Sequence, residues 1–351
     1  MVNWDFLKKC LIHFGFHSSM IHWIMVCLTS ASFSICVNGE FHGFFKSKRG
    51  LRQGDPISPY LFTIVMEAFN MMVKRQIRRD NRFQFHWGCK KIELTHLCFA
   101  DDLLLLCHGD LISASILRRA LDEFAMCSGL FPSLSKSVAF FGSVPDPVKD
   151  NILLVMPFRV GDLPLKYLGI PLSGKKITND DCRSLIQKVK NRINDWRNKT
   201  LSFAGRLQLI SSVLSSLHVY WASMFMLPTH VCISIDKICK NFLWSSGGDG
   251  SGIASVSWKD ICKPKSQGGL GLKPLRLMNE ALMVKYLWNI VSKKDSLWVK
   301  WVHAYRVKDR NIWFDVKSEH GASGWNHILG LRDRIRSFVC YKLGNGRSCN
   351  V

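Results

Sequence analysis

The chain has 351 residues, 47% of them apolar, and 48 Lys+Arg against 26 Asp+Glu give it a formal charge of +22. That length and apolar content suit about two domains with sizeable cores, while every apolar run is broken by Ser, His or Lys before it could span a membrane, and MVNWDFLKKC lacks the layout of a secretory signal. The positive excess favours a polyanionic partner, nucleic acid before a membrane surface, over the alternative of a fragment parted from an acidic partner.

In chain order, residues 5–28 carry apolar groups at helical spacing. FSICVNGEFHGFF (33–45) predicts a hairpin in which Asn38-Gly39 supplies a type I′ turn. In GLRQGDPISPYLFTIVMEAFNMM, Ser58-Pro59 is expected to cap and open a helix whose apolar face is Leu61, Phe62, Val65, Met66, Phe69 and Met72. KKIELTHLCFADDLLLLC reads as strand, tight turn, strand, anchored by Leu97 and Leu103–Leu106. A helix follows, with Ile116, Leu117, Ala120, Leu121 and Phe124 on one side and Gly129 as its stop. Short strands fit at 137–142 and 165–170.

Beyond Gly174 the period becomes helical. Cys182, Leu185, Ile186, Val189, Ile193 and Trp196 form one stripe, and Phe203, Leu207, Ile210, Val213, Leu214 and Leu217 another. SSGGDGSG (245–252) reads as a linker, residues 274–305 are helical and rich in Trp, and the chain ends in a basic stretch. The layout is α+β followed by all-α. Thirteen cysteines with no Cys-x-x-Cys, among them Cys89, Cys98 and Cys107 on apolar segments, read as reduced core thiols of a nuclear or cytoplasmic protein. His13, His17 and His22 have no acidic or thiolate neighbour and read as packed or exposed side chains rather than metal ligands.

The chemistry concentrates in two places. Adjacent carboxylates such as Asp101 and Asp102 repel by roughly a few kcal/mol at an effective dielectric of about 20. Mg²⁺ relieves that repulsion, taking one or two carboxylates plus phosphate oxygens, and two ions about 3.5–4 Å apart can stabilise both oxygens of an in-line phosphoryl displacement. A hairpin with an acidic turn is the plainer reading. Upstream, the Gly-Leu-Arg-Gln-Gly loop exposes backbone N–H groups at a helix start and sets Arg52 and Gln53 where a nucleotide could lie, or is ordinary turn chemistry. GGLGL (268–272) lacks phosphate-loop spacing and reads as a turn.

Together, GLRQGDPISPYLF and FADD resemble the Gln-Gly-x-Pro-x-Ser-Pro-x-Leu-Phe and Phe/Tyr-Ala-Asp-Asp motifs of reverse transcriptases. VNWDFL (2–7), SGLFPSLSKS (128–137), LKYLGIPLS (165–173), LSFAGRLQLI (201–210), SWKDICKPKSQGGLGL (257–272) and NEALMVKYLWNI (279–290) follow in the order seen in non-LTR, LINE-type elements, most like those of plants. The resemblance implies a right-hand polymerase palm over 1–174, an antiparallel sheet with flanking helices. It further implies a helical thumb over 175–244, a linker over 245–256 and a helical extension over 257–351.

It also implies roles. Asp101 and Asp102 would hold two catalytic Mg²⁺ ions. Phe99, Gln53 and Gly54 would lie against the nascent base pair and Arg52 near the phosphates, with deoxynucleoside triphosphates, an RNA template and a DNA primer as partners. Lys136 would sit near the incoming triphosphate, or is a solvated lysine before a strand. Tyr167, Leu168 and Gly169 would form the primer grip, or a core strand ending in a turn. Lys188, Lys190, Arg192, Arg197, Lys199 and Arg206 would contact a duplex, or form a wet helix face.

Two departures qualify the resemblance. The third catalytic carboxylate belongs to a pattern like Asp-x-x-Lys-Ala-Phe/Tyr-Asp-x-Val-x-Trp, of which Val2-Asn3-Trp4 matches only the tail, and Asp5 falls in the following helix. The fingers upstream and a Cys/His segment downstream of YKLGNGRSCNV are likewise absent. The expectation is an internal piece of a longer polyprotein that, as given, cannot polymerise DNA. The alternatives are a non-catalytic nucleic-acid-binding remnant and the product of a decayed reading frame.

Overall fold

The computed structural model describes residues 1–172, 176–197, 201–245, 256–316 and 323–340. They form two compact units, Met1–Asp162 and Leu163–Val351. The sequence grouped the 165–172 segment with the first domain; it folds with the second unit, because Ile170 is buried in that unit's core.

In the first unit the 5–28 segment is split into helices α1 (Trp4–His13) and α2 (Ser18–Thr29), with Gly15 at φ +78° between them. Asn3 caps α1, its Oδ1 accepting the amides of Asp5 and Phe6. Strands β1 (Ser32–Val37) and β2 (Glu40–Lys46) pair antiparallel around Asn38 and Gly39, whose positive φ values of 52° and 91° are those a type I′ turn needs. Helix α3 (Ser58–Arg79) buries Leu61, Val65, Phe69 and Val73. Ser58 does not cap it as expected: Ile57 holds the cap position, its amide donates to Asp55 Oδ1, and Pro59 fills the first turn.

The Asp-Asp segment forms the β3 (His96–Phe99) and β4 (Asp102–Leu105) hairpin, preceded by a single 3₁₀ turn at Lys90–Ile92. Helix α4 (Leu111–Ser128) is capped by Asp110 and ends at Gly129, φ +74°, where a Cβ would lie 3.0 Å from the carbonyl oxygen of Met1. The α3 and α4 helices pack through Phe69 and Phe124, ring centroids 5.2 Å apart. The expected 137–142 strand shrinks to β5 (Val138–Ala139). Helix α5 (Asp146–Val155) links it to its parallel partner β6 (Arg159–Val160).

The second unit opens with the β7 (Leu165–Tyr167) and β8 (Ile170–Leu172) hairpin. Helix α6 (Arg183–Arg197) buries Leu185, Val189 and Ile193. Next come α7 (Phe203–Leu209), a π-turn at Ile210–Leu214, α8 (Ser215–Met224), α9 (Thr229–Trp244) and the short α10 (Trp258–Ile261). The Trp-rich 274–305 run is interrupted at 292–296, giving α11 (Leu275–Val291) and α12 (Leu297–Val302), the latter running into a second π-turn at His303–Val307. Helices α13 (Ser323–Gly330) and α14 (Arg332–Ile335) pack with α11 around Met283, Leu287 and Ile328. Of the expected linker, residues 246–255 lie outside the described residues, as do 341–351 of the basic end.

The architecture is therefore mixed: helices with four two-stranded sheets, three of them antiparallel, among the described residues. No helix there is long and apolar enough to cross a membrane. The three spaced cysteines do not share one environment. Cys89 is buried, Cys107 partly so, and Cys98 exposed.

Candidate functional site

The β3–β4 hairpin presents Asp101 and Asp102 at its tip. Phe99 and Asp102 form its last pair, so Ala100 and Asp101 make the turn, with Ala100 at φ +49°. An alanine in the left-handed region costs about 1–2 kcal/mol. Leu103 and Leu105 offset that by packing on the first unit's core and fixing the arms. Both aspartates and Phe99 are exposed, and among the described residues neither carboxylate is engaged in an ion pair or a side-chain hydrogen bond. Adjacent hard oxygen donors open to solvent fit a hard divalent cation that completes its shell with water or phosphate oxygens. They are two ligands only. Among the described residues no group of three or more His, Cys, Asp or Glu is arranged to hold a metal.

The loop before α3 is tied to the start of the chain. The Gly50 amide donates to Val2 O at 2.7 Å, and Trp4 Nε1 donates to Gly50 O at 2.8 Å. Gly50 (φ +96°) and Gly54 (φ +86°) turn the backbone outward, leaving Gln53 and Gly54 exposed. Arg52 does not project with them. Its Nη2 donates to Cys27 O on α2 at 2.9 Å and pairs with Asp55 Oδ2 at 2.9 Å, because a part-buried guanidinium needs an anion and a carbonyl more than open solvent. It acts as a clasp for the loop, which the i,i+3 spacing of Arg52 and Asp55 in RQGD could have signalled. Lys136 is exposed in a turn closed by its own amide donating to Ser133 O.

The remaining sequence candidates fold in the second unit. Tyr167 pairs with Ile170 across a two-residue turn, Leu168 at φ +51° and Gly169 at φ +79°. Lys188, Lys190 and Arg192 are exposed on α6, away from its buried stripe. Arg197 is the last residue of α6, and Lys199 lies outside the described residues. Arg206 points inward: Nε donates to Leu243 O at 3.0 Å, in the last turn of α9, and Nη1 to Leu201 O at 2.6 Å, just ahead of α7, so the guanidinium is taken up by backbone carbonyls. A cleft of about 450 Å³ runs between α3 and β3, lined by Met66, Glu67, Asn70, Lys74 and His96; neither aspartate borders it. Burial there lowers the pKa of His96.

Residues 1–172 match the reverse transcriptase (RNA-dependent DNA polymerase) family. An Arabidopsis thaliana protein bearing a provisional ribonuclease H name is 34% identical over 182 residues, 51% of this chain and 29% of that protein. The uncharacterized 149 kDa protein of transposon TX1 from Xenopus laevis is 22% identical over 325 residues, 90% of this chain and 23% of that protein. The retrovirus-related Pol polyprotein of the type-1 retrotransposable element R2 from Popillia japonica is 36% identical over 100 residues, 28% of this chain and 16% of that protein. The chain thus spans under a third of each of these three relatives.

Proposed function

Residues 1–172 carry a reverse transcriptase domain of the kind found in LINE-type retrotransposon proteins, and on that premise we propose that Asp101 and Asp102 are two of the carboxylates that serve templated nucleotidyl transfer. The observation that carries this reading is the hairpin tip, where two unpaired, exposed carboxylates stand on a turn fixed by Leu103 and Leu105. Reverse transcriptases use divalent metal ions. When bound, such ions neutralise triphosphate charge and favour in-line displacement; the protein's part is to hold its carboxylates still.

In this reading RNA is the template, DNA the primer and deoxynucleoside triphosphates the substrates. Phe99, Gln53 and Gly54 offer an exposed surface to the nascent pair, with Arg52 positioning the loop from behind. Lys136 serves the triphosphate, the Tyr167–Gly169 turn supports the primer end, and Lys188, Lys190, Arg192, Arg197 and Lys199 meet duplex phosphates. The palm is assigned to 1–174, its last hairpin, β7–β8, packing in the second unit, the thumb to 175–244 and a helical extension to 257–351.

Two carboxylates are one short of the set, and catalytic groups that act as a unit fail together. Residues 1–351 are therefore expected to bind an RNA–DNA hybrid, with log affinity falling by about 0.9 per phosphate contact against log salt, yet not to extend its primer in Mg²⁺ or Mn²⁺. Extension abolished by Asp101→Asn would overturn the two-carboxylate reading. No hybrid binding at low salt would overturn the nucleic-acid reading itself.

A further inference from the structure

The β1–β2 hairpin stands in solvent on both faces, and the faces differ. The register pairs Ser32 with Lys46, Phe33 with Phe45, Ile35 with His42, Cys36 with Phe41 and Val37 with Glu40. Alternation therefore puts Phe33, Ile35, Val37, Glu40, His42 and Phe45 on one face. That face is partly self-satisfied. Phe33 and Phe45 stack, centroids 5.9 Å apart and planes 25° apart, and the Glu40 carboxylate lies 3.7 Å from the His42 imidazole.

The opposite face carries Phe41, Phe44 and Lys46. Three residues apart in a regular strand, Phe41 and Phe44 would point to opposite sides. The register slips between Phe33 and Ile35, and Gly43 at φ +63° absorbs the extra residue, returning Phe44 to the face of Phe41. Their cross-strand neighbours are Cys36, Ser34 and Ser32, too small to cover a ring. Phe41 and Phe44 are accordingly 73% and 83% exposed. Lys46 shares their face, Lys48 and Arg49 follow it in the open, and the hairpin's one carboxylate sits on the other side.

Two uncovered rings with Lys46 on their face, no acid there, and Lys48 and Arg49 exposed just past the strand end complement a phosphodiester strand whose bases are unpaired. We propose that this face binds single-stranded nucleic acid, bases stacking on Phe41 and Phe44 and the backbone running along Lys46, Lys48 and Arg49. The proposal rests on the nucleic-acid reading above but uses none of its residues.

The test is fluorescence anisotropy of the 351-residue protein with labelled oligo(dT), oligo(rU) and an RNA–DNA hybrid. Phe41→Ala/Phe44→Ala is expected to weaken single-strand binding about tenfold or more and hybrid binding less than about twofold. Lys46→Ala should reduce the single-strand salt slope by about 0.7. On the other face, Ile35→Ser/Val37→Ser should leave single-strand binding within about twofold of the wild type. The proposal is overturned if the double phenylalanine variant, still folded by circular dichroism, binds oligo(dT) and oligo(rU) like the wild type. It is equally overturned if that variant only dissociates a dimer in sedimentation, which would make the face a contact with a second copy. Loss of hybrid binding by the wild type is the separate result that sinks the parent reading.

Discussion

At His218 burial sets an acid limit on the second unit. The imidazole is 7% exposed, its Nδ1 has no hydrogen-bond partner among the described residues, and burial pushes its pKa from 6.5 down to about 4. The unfolded chain takes up this proton near pH 6.5 and the folded one only near pH 4. The stability it contributes is whole above 6.5 and is lost as pH falls through that window, up to about 3 kcal/mol. Thermal melts should therefore show the wild type losing more stability than His218→Gln between pH 7 and pH 4.5; parallel curves would refute the assignment. The same scale explains what the sequence disclosed. Asp101 and Asp102 were legible because adjacency and flanking leucines are local facts. The turn of Arg206 toward Leu243 was not, since that carbonyl lies 37 residues away, and of the partners of Arg52 only Asp55 is local, Cys27 lying 25 residues off.

Among the elements, α11 locks the turn between α8 and α9 through one side chain. Asn279 is buried, its Oδ1 accepting the Leu227 amide at 2.8 Å while Nδ2 donates to Ala222 O at 2.6 Å and Phe225 O at 2.7 Å. Carbonyls at the end of a helix have no intrahelical donor, and Asn279 supplies one to each of these two. Asn279→Leu keeps the branched shape and leaves the Leu227 amide and two carbonyls without this partner, so unfolding in urea should show a loss of about 2–4 kcal/mol; a loss under about 0.5 kcal/mol would show that the groups find other partners. Long periodic helices such as α3, α4 and α6 could be read from spacing, as could the Asn38-Gly39 turn. Helix α5, one of the shorter ones, with Pro145 as its cap and Pro147 in its first turn, carried too little period to be seen, and two-residue strands such as β5 exist only through their partners. The single run expected at 274–305 breaks where Ser296 caps a new helix.

Over the whole molecule, the charge of +22 was the earliest pointer to nucleic acid, because it needs only composition. The domain whose motifs gave the family occupies residues 1–172, and the proposed chemistry rests on one hairpin turn. That turn is the central claim, and Mn²⁺ binding followed by the loss of the free-ion electron paramagnetic resonance signal tests it most directly. The wild type should show a weak site, with a dissociation constant on the order of 1 mM, that disappears in Asp101→Asn/Asp102→Asn while the thermal melt stays unchanged. Superimposable titrations for wild type and variant would contradict the account.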